Sequence, residues 1–276
     1  MNRQQLALIR AIAFAAEQAD GAAPLDEATW LALRHGRDIR IWLEGDGVAL
    51  LAGSELNLVV HPDARGQGLG SSLLAGVLGS VGDAPLRAWS HIDHPAAARL
   101  ASSYGFERAR ALWVMRRPTS LALPDLVLPE GVAIRGFQDA DTADLLRLNA
   151  ASFADHPEQG AMDEANFAER MSEPWFDPAG LLVAEDATGR MLGFHWTKQH
   201  SPDRGEVYVV AVDPSVQGIG LGRLVTLAGL QHLAGLGVSE VILYVESDNA
   251  PAIAIYRGKL GFTHAASDTH VMYERG

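Results

Sequence analysis

One glycine-rich loop occurs twice in this chain. Arg65-Gly66-Gln67-Gly68-Leu69-Gly70 follows Leu58-Val59-Val60 and Pro62, and Gln217-Gly218-Ile219-Gly220-Leu221-Gly222 follows Val210-Ala211-Val212 and Pro214. The copies stand 152 positions apart (220 − 68) in a chain of 276 residues. A repeat on that scale is a whole domain, too long for a solenoid unit, so two similar folds in tandem are expected.

The surroundings of the loop repeat as well. In the second half, Met191 to Trp196 and Glu206 to Val212 read as strands, and a helix is expected from about Gly220 to Ala234. Val241 to Val245 is a further strand, Asn249 an N-cap, Ala252 to Arg257 a helix, Gly261-Phe262 a turn and His270 to Tyr273 a last strand. The first half runs in the same order through Leu86 to Trp89, Asp93-His94, Pro95 to Ala101, Gly105-Phe106 and Leu112 to Met115. Between the halves, Pro118, Pro124, Pro129 and Gly131 break up any periodicity, as a linker does. The boundary is therefore expected near residue 125, giving domains 1–124 and 125–276. Beyond it, Val132 to Ile134 reads as a strand, and Asp139 opens a helical stretch with Leu145, Leu146 and Leu148 on its apolar stripe.

Bulk chemistry narrows the function classes. The net charge of −12 disfavours nucleic acid and anionic membrane as partners, since both are approached through a basic face. With no cysteine there is no disulfide, thiolate metal site or cysteine nucleophile, and a cytoplasmic location is the expectation. The first twenty residues carry Leu6, Ile9 and Phe14 at helical spacing, but Arg3, Arg10, Glu17 and Asp20 interrupt the apolar run that a signal peptide needs. No stretch reaches membrane-spanning length. A monomer acting on a small molecule is expected.

Glycines at alternate positions let a backbone turn sharply and point successive N–H groups at one spot, where an anion fits. At a helix N-terminus the macrodipole adds partial positive charge, so an acidic protein can hold a pyrophosphate with little help from lysine or arginine. The alternative is a turn that merely ends a strand, an explanation weakened by two copies in one context. Neither loop closes with the lysine and serine or threonine of a Walker-type loop. Neither has the third glycine of the dinucleotide fingerprint, because Ser71 and Arg223 stand there.

Arg65 or Gln217, three residues before Gly68 or Gly220 and then Gly70 or Gly222, resembles the acyl-CoA loop of the GCN5-related N-acetyltransferases. Asn249, Ala252, Tyr256 and Gly261-Phe262 resemble the second signature of that superfamily. The segments Phe153 to Gly160, Trp175 to Pro178, Gly193 to Lys198, Glu206 to Val210 and Leu243 to Asn249 are similar to the mycothiol synthase family. The resemblance implies an α+β fold of two tandem acetyltransferase domains, each a mixed, mostly antiparallel sheet flanked by helices. It implies acetyl transfer from acetyl-CoA to the cysteinyl amine of Cys-GlcN-Ins, with up to two acetyl-CoA per chain and no metal. The glycine loop alone leaves open another small primary amine as acceptor, or a CoA-binding sensor without turnover.

An α-amino group with pKa near 7.7–8.0 is only about a tenth to a fifth neutral at pH 7, so a base must take its proton before it attacks a thioester. By the resemblance, Glu206 is that base and Tyr256 the acid that protonates the leaving thiolate. Backbone N–H groups of Val210, Ala211 and Val212 would orient the pantetheine. Gln217, Gly218, Ile219, Gly220, Leu221, Gly222 and Arg223 would hold the pyrophosphate, with Asn249, Ala250, Pro251, Ala252, Ile253 and Ala254 beside the cofactor. Glu27, Glu158, Lys198, Glu206 and Tyr244 would line the acceptor site. Asp248 and Asn249 read independently as helix-capping residues. Trp175, Phe176, His195 and Trp196 could shape the pocket or fill the core, and His91 with His94 lacks the third ligand of a metal site.

The first half is expected to bind without catalysing. Leu58, Val59, Val60, Gly66, Gln67, Gly68, Leu69, Gly70 and Ser71 retain the cofactor-facing pattern. Aligning Pro62 with Pro214 places Ser54 opposite Glu206, and Ala101 falls where a tyrosine would stand. In the second half, four residues rather than three separate Tyr256 from Gly261, so the helix end is expected to bulge.

Overall fold

The computed structural model describes residues 2–36, 38–154, 157–216 and 218–276, with the backbone alone at Pro157 and Glu158. In chain order, α1 spans Arg3–Asp20, α2 Glu27–His35, β1 Arg40–Glu44, β2 Gly47–Ala52, β3 Glu55–Val60, α3 Leu69–Val81, β4 Leu86–Ser90, α4 Pro95–Ser103 and β5 Glu107–Pro118. There follow β6 Val132–Gly136, α5 Thr142–Ser152, α6 Pro157–Gly160, α7 Glu164–Met171, β7 Leu181–Asp186, β8 Met191–Ser201 and β9 Arg204–Val212. The chain ends with α8 Leu221–Gly235, β10 Glu240–Glu246, α9 Ala250–Leu260 and β11 Thr269–Arg275. Residues 1–113 with 265–276 form one compact unit, and residues 114–264 form the other. The last strand of the chain thus lies with the first unit, and β5 passes into the second unit at Val114.

In the first unit the sheet runs β1-β2-β3-β4-β11-β5. Every neighbouring pair is antiparallel except β3 with β4. The run Val48 to Leu51 is apolar without alternation because both faces of β2 are covered. Val48 and Leu50 pack with Ile9, Ile12, Ala13 and Ala16 of α1, while Ala49 and Leu51 pack with Leu73, Leu74 and Val77 of α3. Asn2 starts α1 with a capping box to Gln5, and Gly21 ends it in the left-handed region.

The second unit repeats the plan as β6-β7-β8-β9-β10, and its only parallel pair among the described strands is β9 with β10. The mixed, mostly antiparallel sheets flanked by helices are those expected. β8 is buried on both faces from Met191 to Lys198. Phe194 and Trp196 pack with Leu145 and Leu148 of α5 and Phe167 of α7, whereas His195 turns to α8, where its Nδ1 lies 2.9 Å from the Val225 carbonyl oxygen. A side chain such as Phe194 contributes about 1.5–3 kcal/mol by burial, so this face anchors the strand that leads into the site.

Candidate active site

The parallel strand pair of each unit opens part way along. β9 pairs with β10 from Arg204↔Glu240 to Val207↔Leu243, and beyond that Val210, Ala211 and Val212 pair only with His195, Phe194 and Gly193 of β8. β3 pairs with β4 only at Glu55↔Arg87 and Leu56↔Ala88, while Leu58, Val59 and Val60 continue to pair with β2. Alternate N–H and C=O groups on the freed edge therefore face a wedge, where an extended ligand can take the place of the missing strand.

A glycine loop closes the mouth of each wedge. Gly66 and Gly68 have φ of 75° and 85°, and Gly218 and Gly220 have 91° and 81°, a region that side-chain-bearing residues avoid. Gly68 and Gly220 are the N-caps of α3 and α8, and neither helix has a side-chain cap. The first-turn amides are left for an anion, at the positive end of the helix dipole.

In the first unit a cavity of about 400 Å³ fills the wedge. Leu58, Val59, Val60, Gly66, Gly68, Leu69, Gly70 and Ser71 line it, as do Trp89, Ser90 and Leu100. Gln67 turns away and donates to the Asp63 carbonyl at 3.2 Å. Arg65 is held in the protein by a bidentate pair with Asp20, at 2.7 and 2.8 Å, and by the Val60 carbonyl. His94 caps α4 by accepting the Ala96 amide, and His91 stacks on His270 at 5.1 Å.

In the second unit Gln217 lies outside the described residues. Ile219 is exposed, Leu221 is buried against Ala184, Leu192 and Val225, Gly222 abuts Val212, and Arg223 is half-buried. Asp213, where β9 ends, is held well below the usual carboxylate range, first by the Ser215 hydroxyl and then by Arg190 at 2.8 Å. Asn249 caps α9 by accepting the Ala252 amide at 3.2 Å, so Ala250, Pro251, Ala252, Ile253 and Ala254 form the first turns of that helix. The expected bulge is present at the other end. The amides of both Gly261 and Phe262 reach back to the carbonyl of Tyr256, a wider turn than an α-helix makes. Tyr256 packs edge-on against Phe262 with centroids 6.0 Å apart, and burial raises its phenol above the ordinary value.

Below the opening of β9 and β10, charged side chains collect on one face of the sheet. Glu206 is 6% exposed and sits opposite Lys198 across the β8–β9 ladder. The Lys198 ammonium stands 4.4 Å from the ring centre of Trp175 and 5.0 Å from that of Tyr208, and the Tyr208 hydroxyl accepts from Arg170 at 2.9 Å. Aromatic faces compensate a desolvated cation in this way. His200 approaches Glu206 with Nε2 at 2.5 Å from Oε2. Tyr244 of β10 is 43% exposed, yet crowding around its hydroxyl and then the charge of Glu206 push it up to about 12. Neighbouring Glu240 takes both Arg116, at 3.0 Å, and Arg204, at 3.3 Å.

The structure thus brings Glu206, Lys198 and Tyr244 of the expected acceptor set to one region. Glu27 is half-buried in the first turn of α2 in the other unit, and the side chain of Glu158 lies outside the described residues. His195 and Trp196 are fully buried and belong to the core, and Phe176 packs edge-on to Trp196. Sequence reasoning missed His200, Arg170 and the part of Tyr208 in seating Lys198. Strand alternation gave no signal for His200, because the register of β8 slips between Gln199 and Ser201.

In the first unit, different residues stand at the positions aligned with Glu206 and Tyr256. Ser54 stands in the turn before β3, where its carbonyl accepts the Arg87 amide. The adjacent carboxylate, Glu55, is 3.0 Å from the Arg87 guanidinium. Ala101 is buried in the cavity wall.

Comparison with known proteins agrees with this duplication. A model of the acetyltransferase (GNAT) family matches residues 143–262, and a model of an acetyltransferase (GNAT) domain matches residues 26–108. A mycothiol acetyltransferase of Nocardioides sp. strain JS614 is 60% identical, covering 98% of this chain and 97% of its own. A mycothiol acetyltransferase of Thermobispora bispora is 49% identical over 97% of this chain and 95% of its own. A tandem GNAT protein from the clavulanic acid biosynthesis pathway shares the fold with a TM-score of 0.69 at 18% identity, covering 99% of this chain and 95% of that one. A GCN5-related N-acetyltransferase from Sphaerobacter thermophilus shares it with a TM-score of 0.68 at 21% identity, over 97% and 91%. No helix among the described residues is long and apolar enough to cross a membrane. This chain belongs to the mycothiol acetyltransferase family, within the GCN5-related N-acetyltransferases.

Proposed function

We propose that the chain transfers acetyl from acetyl-CoA to the cysteinyl amine of Cys-GlcN-Ins, yielding mycothiol and CoA, with the chemistry in the second unit. The observation that carries the site assignment is the buried carboxylate of Glu206, on the strand whose freed edge at Val210 to Val212 offers N–H groups to a ligand. Acetyl-CoA supplies an activated acetyl thioester. The first-turn amides of α8, which no side chain caps, fit its pyrophosphate, and the wedge fits its pantetheine arm. A backbone N–H of Val210 to Val212 polarises the thioester oxygen. Glu206 takes a proton from the acceptor amine, directly or through one water. Tyr256, kept protonated by its burial, gives a proton to the departing sulfur. Lys198 and Tyr244 bind the polyhydroxylated part of the acceptor, with Glu158 beside them. The first unit holds a second acetyl-CoA in its cavity without turning it over, because Ser54 and Ala101 offer neither the carboxylate nor the phenol of Glu206 and Tyr256.

Glu206→Gln tests the assignment. It should lower kcat by about 10²–10⁴-fold, the usual contribution of a general base, while leaving the affinity for acetyl-CoA nearly intact. Unchanged turnover from pH 6 to 9 would remove Glu206 as the base. An acceptor panel of Cys-GlcN-Ins, glucosamine, polyamines and peptide N-termini tests the substrate, and preference for a polyamine or peptide would overturn it.

A further inference from the structure

Glu206 is almost wholly buried, and a buried carboxylate without a donor is costly. Lys198 is seated on the rings of Trp175 and Tyr208, and Arg116 and Arg204 both reach Glu240. His200 is in direct contact with Glu206, its Nε2 lying 2.5 Å from Oε2 of that carboxylate. A carboxylate only accepts, so that ring nitrogen carries the hydrogen and donates it. The register of β8 with β9 slips between Gln199 and Ser201, leaving His200 as the bulged residue. Bulges re-aim side chains, and this one presents the imidazole to a carboxylate on the adjoining strand. The His200 side chain keeps 35% of its surface exposed while that of Glu206 keeps 7%, so the pair spans from solvent to the buried base.

We propose that His200 is the positioning residue of Glu206: its Nε2–H fixes Oε2 and leaves Oε1 aimed at the acceptor amine. This rests on the reading of Glu206 as the base. A base that must meet one particular N–H gains from being held, and misplacement by about 1 Å can cost on the order of 10²-fold in rate. His200 itself touches no reacting atom, so its effect passes entirely through Glu206.

The experiment is a double-mutant cycle on the whole chain with acetyl-CoA and Cys-GlcN-Ins. His200→Leu removes the donor, and kcat should fall by about 10–100-fold with the KM for acetyl-CoA within about twofold of wild type. His200→Gln carries an N–H at similar reach and should recover most of the lost kcat. In the Glu206→Gln background, His200→Leu should cost less than about twofold, because the group it orients has already been disabled. Wild-type kcat in His200→Leu overturns the inference, as does an equal loss in both backgrounds. Loss of kcat in His200→Gln equal to that in His200→Leu also overturns it. Should Glu206→Gln alone keep full turnover, the base assignment fails, a result distinct from failure of the positioning role in an enzyme where Glu206→Gln is inactive.

Discussion

Gly229 makes opposite predictions under local propensity and tertiary packing. It lies within α8, where alanine in place of glycine normally stabilises by about 1 kcal/mol. A Cβ built there would stand 2.0 Å from Nδ1 and 2.1 Å from Cε1 of His195, positions no side chain can share. Either the imidazole leaves its place or α8 lifts from β8. Moving the ring breaks its contact with the Val225 carbonyl and leaves a buried polar group unpaired, at about 1–3 kcal/mol. Forcing a methyl group into the filled space costs about 1–3 kcal/mol more. Set against the propensity gain, Gly229→Ala should destabilise by about 3 kcal/mol. Urea denaturation followed by tryptophan fluorescence reads the change, Trp196 lying in the adjacent core. Because α8 begins at the second glycine loop, acetyl-CoA protection of the second unit should weaken in the same variant. His195→Ala in that background should restore part of the loss by vacating the space. If Gly229→Ala is instead more stable by about 1 kcal/mol, the close packing of α8 on His195 is wrong.

Three further outcomes follow from the same geometry. Burial holds His195 down to about 4 against about 6.5 for an unfolded imidazole, so the unfolded chain takes up the proton first. Stability is then full above about pH 6.5 and declines by on the order of 3 kcal/mol as the pH falls to about 4; His195→Gln should flatten that part of the stability–pH curve, and an unchanged slope would refute the assignment. Trp175→Leu removes the ring nearest the Lys198 ammonium, so the KM for the acceptor should rise about 5–30-fold with the KM for acetyl-CoA unchanged; equal rises in both would point to general disorder of the site. Gly68→Trp places a side chain at φ 85° in the first loop and should remove one CoA equivalent in calorimetric titration while sparing kcat; loss of all activity in a folded variant would contradict the division of labour.

The features most legible in the sequence were those fixed by backbone chemistry. Alternate glycines before a helix must turn through positive φ, and both loops do. The extra residue before Gly261 had to be absorbed in the last turn of α9, where Tyr256 now accepts two amides. Less legible were features set by pairing between distant strands. Nothing local in Thr269 to Arg275 shows that this strand pairs with β4 and with residues of β5 in the first unit. His195 and Trp196 suit either pocket or core by residue type, with core the commoner place for aromatics beside strands, and the helices above and below β8 bury them. His200 escaped notice because its importance comes from a register slip, which side-chain periodicity does not display.

The difference between the two units lies in hairpin length more than in cofactor geometry. β9 has nine residues where β3 has six, and β8 has eleven where β2 has six. The additional ladder lies at the hairpin end away from the glycine loop, where β9 runs beside β10, and it carries Lys198, His200 and Glu206. In the shorter hairpin that position is already a turn, occupied by Ser54, with Glu55 engaged by Arg87. Anion binding survives duplication easily because it depends on glycines and helix amides, which need no particular neighbour. On the proposed reading, proton transfer needs a buried carboxylate facing the amine, a donor to hold it and aromatic rings to seat the adjacent cation, and a strand as short as β3 leaves no position for these groups beneath its wedge.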